Sequence, residues 1–102
     1  MATLRIALAQ LKLTVSDLEA NRQRILESVR CAQAWQADLV LSPELALTGY
    51  PPEDLLLKPG FIEQNRRALA ALAPASAGLV ALVGYVDADR DGRLYNAMAV
   101  LA

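Results

Sequence analysis

Two short apolar runs flank a long amphipathic segment near the start of the chain, and that order constrains the fold more than any other feature. Leu4, Ile6 and Leu8, with Ala7 and Ala9 between them, form a nearly continuous apolar stretch, and Leu39-Val40-Leu41 forms a second. Runs without polar alternation predict strands buried on both faces, as in a sheet covered by helices. Between them Leu18, Ile25, Val29 and Ala32 recur at helical spacing, with Arg22, Arg24, Glu27 and Arg30 on the other faces. This reads as a helix from Asp17 to Trp35. A capping box opens it, the Ser16 hydroxyl and the Glu19 carboxylate satisfying orphan amides of the first turn reciprocally. Strand, helix, strand then predicts a right-handed crossover between adjacent parallel strands, Arg5 to Ala9 and Leu39 to Leu41.

The stretch from Ser42 to Gly60 holds four of the five prolines and two of the five glycines, so it cannot be one regular element. Long connections of this kind inside compact domains are often functional. A second amphipathic helix is predicted from Phe61 to Ala73, with Glu63, Arg66 and Arg67 outward. Leu79 to Val86 and Leu94 to Leu101 read as strands joined by the polar, glycine-bearing turn Asp87 to Arg93. The expected order is β-α-β-loop-α-β-β, an α/β chain forming one domain over residues 1–102.

Composition removes most chemistries. The chain has no histidine and only Cys31, which excludes His-based triads, His-containing metal sites, thiolate clusters and internal disulfides. Ten basic against eleven acidic side chains give a net charge of −1, without the electrostatic footprint of a nucleic-acid binder. No apolar run approaches the ~20 residues that span a bilayer. The first ten residues carry Arg5 and lack the order of a signal peptide, so a cytoplasmic location is expected.

Six groups of residues could carry chemistry. Asp87-x-Asp89-x-Asp91-Gly92 matches the opening of a calcium loop, but the twelfth position is Met98 where a bidentate glutamate should stand. Solvated turn formers are the plainer reading. Cys31 lies within the predicted helix, one residue from the apolar Ala32, and reads as a small half-buried helix residue rather than a nucleophile. Glu44 stands just past the carboxyl end of the second strand, where open α/β sheets bind ligands. Held among Leu45, Leu47 and Tyr50, its carboxylate would gain proton affinity by desolvation and act as a general base. The alternative is a surface glutamate capping a helical turn. Glu53 and Asp54 follow Pro51-Pro52 and suit a helix start through its dipole. Tyr50 could line a pocket, and the Asn96 amide of Tyr95-Asn96 could pin a loop. No GxGxxG or GxxxxGK[ST] spacing occurs.

Pro43 to Leu57, reading Pro-Glu-Leu-Ala-Leu-Thr-Gly-Tyr-Pro-Pro-Glu-Asp-Leu-Leu-Leu, resembles the amino-terminal glutaminase domain of the glutamine-dependent NAD⁺ synthetases, within the nitrilase (carbon–nitrogen hydrolase) superfamily. Pro-Glu-Leu after a strand is shared across that superfamily, and Thr48 to Leu55 resembles the synthetase branch. Leu4 to Gln10 and Leu94-Tyr95-Asn96-Ala97 fall where the family has its first strand and a later one.

The resemblance implies a partial α-β-β-α sandwich and a Glu–Lys–Cys triad, of which Glu44 matches the glutamate that takes the thiol proton. The family's lysine and cysteine lie downstream of the matching residues, and Lys58 and Cys31 are not placed to replace them. Glutamine and deamido-NAD⁺ are the implied substrates of the whole protein, a homo-oligomer is expected, and ATP with Mg²⁺ belongs to a synthetase domain outside these residues. Where relatives usually place glycine at the helix end this chain has Gln36, which would have to accept that turn at some strain unless the helix ends differently. Another nitrilase-type amidohydrolase, or an α/β module that binds a partner through a sheet edge, are the competing readings. On all three, residues 1–102 alone are expected to be inactive.

Overall fold

The computed structural model describes residues 2–102. In chain order its elements are β1 (Ile6–Leu8), α1 (Leu18–Ala34), β2 (Leu39–Leu41), a 3₁₀ turn (Glu53–Leu57), α2 (Phe61–Leu72), a second 3₁₀ turn (Ala73–Ser76), β3 (Val80–Ala88) and β4 (Leu94–Leu101). They form one sheet in the order β1-β2-β3-β4. β1 pairs parallel with β2, β2 parallel with β3, and β3 antiparallel with β4, so the crossover expected from the two apolar runs is present.

The capping box does not form. Ser16 has φ 75° and donates its backbone amide to the Thr48 carbonyl at 3.1 Å, so it cannot take the extended conformation a cap needs. The cap moves one residue on, to Asp17, whose Oδ1 accepts from the Ala20 amide at 3.0 Å. Glu19 is thereby released to pair with Arg22 at 2.6 Å, and the guanidinium holds its carboxyl below the usual carboxylate range. At the other end Gln36 does accept the left-handed turn, with φ 57°.

One face of the sheet is covered and the other is open. Ile25, Val29 and Ala32 of α1 and Leu72 of α2 pack with Val40, Ala81 and Val83 in a single core. The opposite face carries a row of Leu8, Leu41, Leu82 and Val100, aligned by register across all four strands. Ile6 is 52% exposed, Leu8 66%, Met98 45% and Val100 67%. The two-sided burial expected of β1 is therefore wrong for this chain: Ala7 turns to the helices, while Ile6 and Leu8 have no layer above them. A continuous apolar run reports that a strand can be covered on both sides, and only one cover lies within these residues.

That open face predicts the behaviour of the isolated chain. Residues 1–102 alone should self-associate in sedimentation velocity and bind a hydrophobic dye, because an apolar sheet face and the unpaired edge of β1 meet water. Replacing Leu8 and Val100 by lysine should reduce both signals. A monodisperse monomer that melts cooperatively without dye uptake is the contrary result.

Candidate active site

The site is built where β2 stops short. β3 continues past Leu41, and its alternate residues Gly84 and Val86 present backbone groups on the side that β2 has left. Each finds another partner. The Gly84 amide donates to Ser42 Oγ at 3.1 Å, and the Leu47 amide donates to the Gly84 carbonyl at 3.1 Å. Asn65, fully buried on α2, donates to the Val86 carbonyl at 2.6 Å and accepts from its amide at 3.4 Å. The chain after β2 thus stays fastened to β3 while it leaves the sheet plane.

It leaves toward the open face. A Cβ on Gly84, pointing to the side of Leu82, would lie 2.6 Å from both the Leu45 amide nitrogen and the Pro43 carbonyl oxygen. The backbone around Glu44 therefore rests directly on Gly84, at a distance only glycine permits. A glycine within an apolar strand is a sequence signal for such close approach, and it is the functional position that the reading of the sequence missed. The turn also carries strain, since Leu45 has φ 49°. Its far end is held by Asn21 of α1, which donates to the Leu47 carbonyl at 3.0 Å and the Thr14 carbonyl at 2.7 Å while accepting from the Thr14 amide at 2.8 Å. Asn21 is fully buried, a polar residue in the line of Ile25 and Val29.

On this support Glu44 points outward. Leu45 and Leu47 are buried beneath it, so the enclosure expected of them is not formed and the carboxylate is exposed. The turn directs its apolar side chains into the protein. Asn96 of β4, in register with Val86, donates through Nδ2 to Glu44 Oε1. The loop-pinning role considered for the Asn96 amide is thus exercised on Glu44 itself. Beside this pair lies a small cavity of about 160 Å³ walled by Leu45, Leu56, Val86, Leu94 and Tyr95. Tyr50 is 65% exposed and outside that wall.

The other candidates are structural or apart from Glu44. Asp89 accepts from the Asp91 and Arg93 amides, both at 2.9 Å, and from the Tyr95 hydroxyl at 2.8 Å, which spends its oxygens on the hairpin turn. The Tyr95 hydroxyl, then the Arg93 amide, hold the Asp89 carboxyl below the usual range, and Arg66 does the same for Asp87. Lowered carboxylates add stability above the ordinary carboxylate range and lose it as pH falls through their folded values. The protection of amides 89–95, taken relative to the intrinsic exchange rate at each pH, should therefore fall on acidification through those values; the effect is small because these groups are solvated. Glu53 and Asp54 lie in the first 3₁₀ turn, as an acidic start to a helical turn should. Cys31 is exposed, correcting the half-buried reading, and lines a groove with Arg24, Trp35 and Leu8 on the flank of α1 beyond the β1 edge.

The carbon-nitrogen hydrolase family profile matches residues 5–102. The chain belongs to that family. It is 48% identical over 100 residues to the glutamine-dependent NAD(+) synthetase of Xanthomonas campestris pv. campestris (strain 8004), an alignment covering 97% of this chain and 18% of the relative. The structure of glutamine-dependent NAD+ synthetase from Acinetobacter baumannii superposes with a TM-score of 0.89 at 36% identity, covering 95% of this chain and 18% of that one. A variant of the Nesterenkonia AN1 amidase, from the nitrilase superfamily, superposes with a TM-score of 0.77 at 26% identity, covering 97% of this chain and 41% of the amidase. The nitrilase-type α/β fold expected from the sequence is thus present, and the chain spans about 18% of the length of the curated synthetases it matches, in their N-terminal part. Among the described residues no helix is long and apolar enough to cross a membrane.

Proposed function

We propose that residues 1–102 form the N-terminal part of the glutaminase domain of a glutamine-dependent NAD⁺ synthetase, and that Glu44 is its general base. The observation that carries this reading is the carboxylate of Glu44 held at the carboxyl end of β2, on a turn fixed to β3 and α1, within a chain so similar to the synthetases. In the complete protein a cysteine and a lysine from downstream sequence would join it. Glu44 takes the thiol proton as the sulfur attacks the carboxamide carbon of glutamine, and the lysine stabilises the oxyanion that develops. The C–N bond breaks, ammonia leaves with the proton returned by Glu44, and water hydrolyses the glutamyl thioester. Oε1 is occupied by Asn96, which leaves Oε2 to carry the proton. Tyr50, exposed after the turn, is assigned to substrate contact.

Ammonia then serves amidation of deamido-NAD⁺ in the synthetase portion, where ATP and Mg²⁺ are bound; the groups for them lie outside residues 1–102. A cytoplasmic homo-oligomer completes the reading. Its test is an assay of the full-length parent protein for ammonia release from glutamine and for ATP-dependent conversion of deamido-NAD⁺ to NAD⁺. Both are expected, with residues 1–102 alone inactive. Hydrolysis of some other small amide, without NAD⁺ formation, would instead mark a different amidohydrolase.

A further inference from the structure

We infer that Asn96 is a positioning residue for the reaction, holding the Glu44 carboxylate in its productive orientation; this rests on Glu44 being the base. The sequence separation is 52 residues, yet the amide and the carboxylate meet through a direct hydrogen bond. An ionised carboxylate only accepts, so the Asn96 amide must present its nitrogen, and the contact is charge-assisted. The two side chains have unequal supports. Glu44 is exposed, and its long side chain has freedom to lose. Asn96 sits in β4, the third residue of an eight-residue strand, paired with Val86. Asparagine is a poor strand residue, so the ladder gains nothing from it. Asn65, Ser42 and Asn21 fix the backbone around the turn, and among the described residues Asn96 is the side chain that bonds the carboxylate. A reacting group displaced by about 1 Å can lose about 100-fold in rate, so this one bond has catalytic weight.

The experiment uses the full-length parent with Asn96→Ala, Asn96→Asp, Glu44→Gln and the double variant Asn96→Ala/Glu44→Gln. Asn96→Ala should lower kcat for glutamine about 10- to 100-fold with KM unchanged and ammonia-dependent NAD⁺ formation retained. Asn96→Asp keeps the shape and replaces the donor with a like charge, so it should lose more than the alanine variant. A role in strand packing predicts the reverse ranking, and if Asn96→Ala folds poorly the isosteric variant carries the test. The double variant should be no slower than Glu44→Gln alone, since Asn96 acts through Glu44. Wild-type kcat in Asn96→Asp, a rise in KM alone, or multiplicative losses in the double variant would overturn the inference while leaving Glu44 as the base. An active Glu44→Gln enzyme would remove the base assignment and the positioning role together.

Discussion

Glu44→Gln in the full-length parent is expected to abolish glutamine-dependent NAD⁺ formation while ammonia-dependent formation continues. The substitution is nearly isosteric, and a glutamine carbonyl can still accept from Asn96 Nδ2, so the turn keeps its tether. Glu44 is exposed, so no buried charge is removed and stability should scarcely change. What disappears is the proton acceptor. Loss of a general base costs about 10²–10⁴-fold, roughly 3–5 kcal/mol of barrier. Free ammonia bypasses glutamine hydrolysis, which is why the two activities should separate. Parallel initial-rate assays with glutamine and with ammonium salts check this. Equal loss of both would show that Glu44 supports the fold or a domain interface, and unchanged glutamine turnover would exclude it from catalysis.

The parts of this site that the sequence revealed are those encoded locally. The two apolar runs and the helical spacing between them specified the parallel strands and the helix, because burial and period act within a few residues. Pro43, Pro51 and Pro52 marked the irregular connection, and Glu44 followed from its place just after β2. What stayed hidden depends on pairs far apart in sequence. Ser16 reads as a cap until Thr48 is known to bind its amide. Asn21 and Asn65 carry no local signal of burial, yet both are fully buried: Asn65 bonds the Val86 backbone groups that β2 leaves free, and Asn21 bonds Thr14 and Leu47. Desolvation of Glu44 was inferred from neighbours in sequence, which the turn sends to the other side. Ile6 and Leu8 were legible as apolar but not as exposed, since a covering layer is a property of the assembly.

Gly84→Val should lower both stability and glutamine turnover in the parent. The first added atom would meet backbone at 2.6 Å on two sides, the Leu45 amide and the Pro43 carbonyl, and neither can swing aside as a side chain would. Relief requires lifting the 43–46 turn from β3, which loosens the bonds of Ser42 and Leu47 to Gly84 and moves Glu44 away from Asn96. Overpacking of this kind costs about 1–3 kcal/mol, and a shift of about 1 Å at the base costs about 100-fold in rate. Gly60→Ala separates the two effects. Nothing lies within 4 Å of a Cβ there, but φ is 79°, so the residue is strained without pressing on the turn. It should lose about 1 kcal/mol of stability and keep full activity per folded molecule. Thermal melts with glutamine kinetics on the folded fraction decide the matter. If Gly84→Val behaves like Gly60→Ala, losing stability but not kcat, then the seat of the turn on β3 is a packing feature and does not set the position of Glu44.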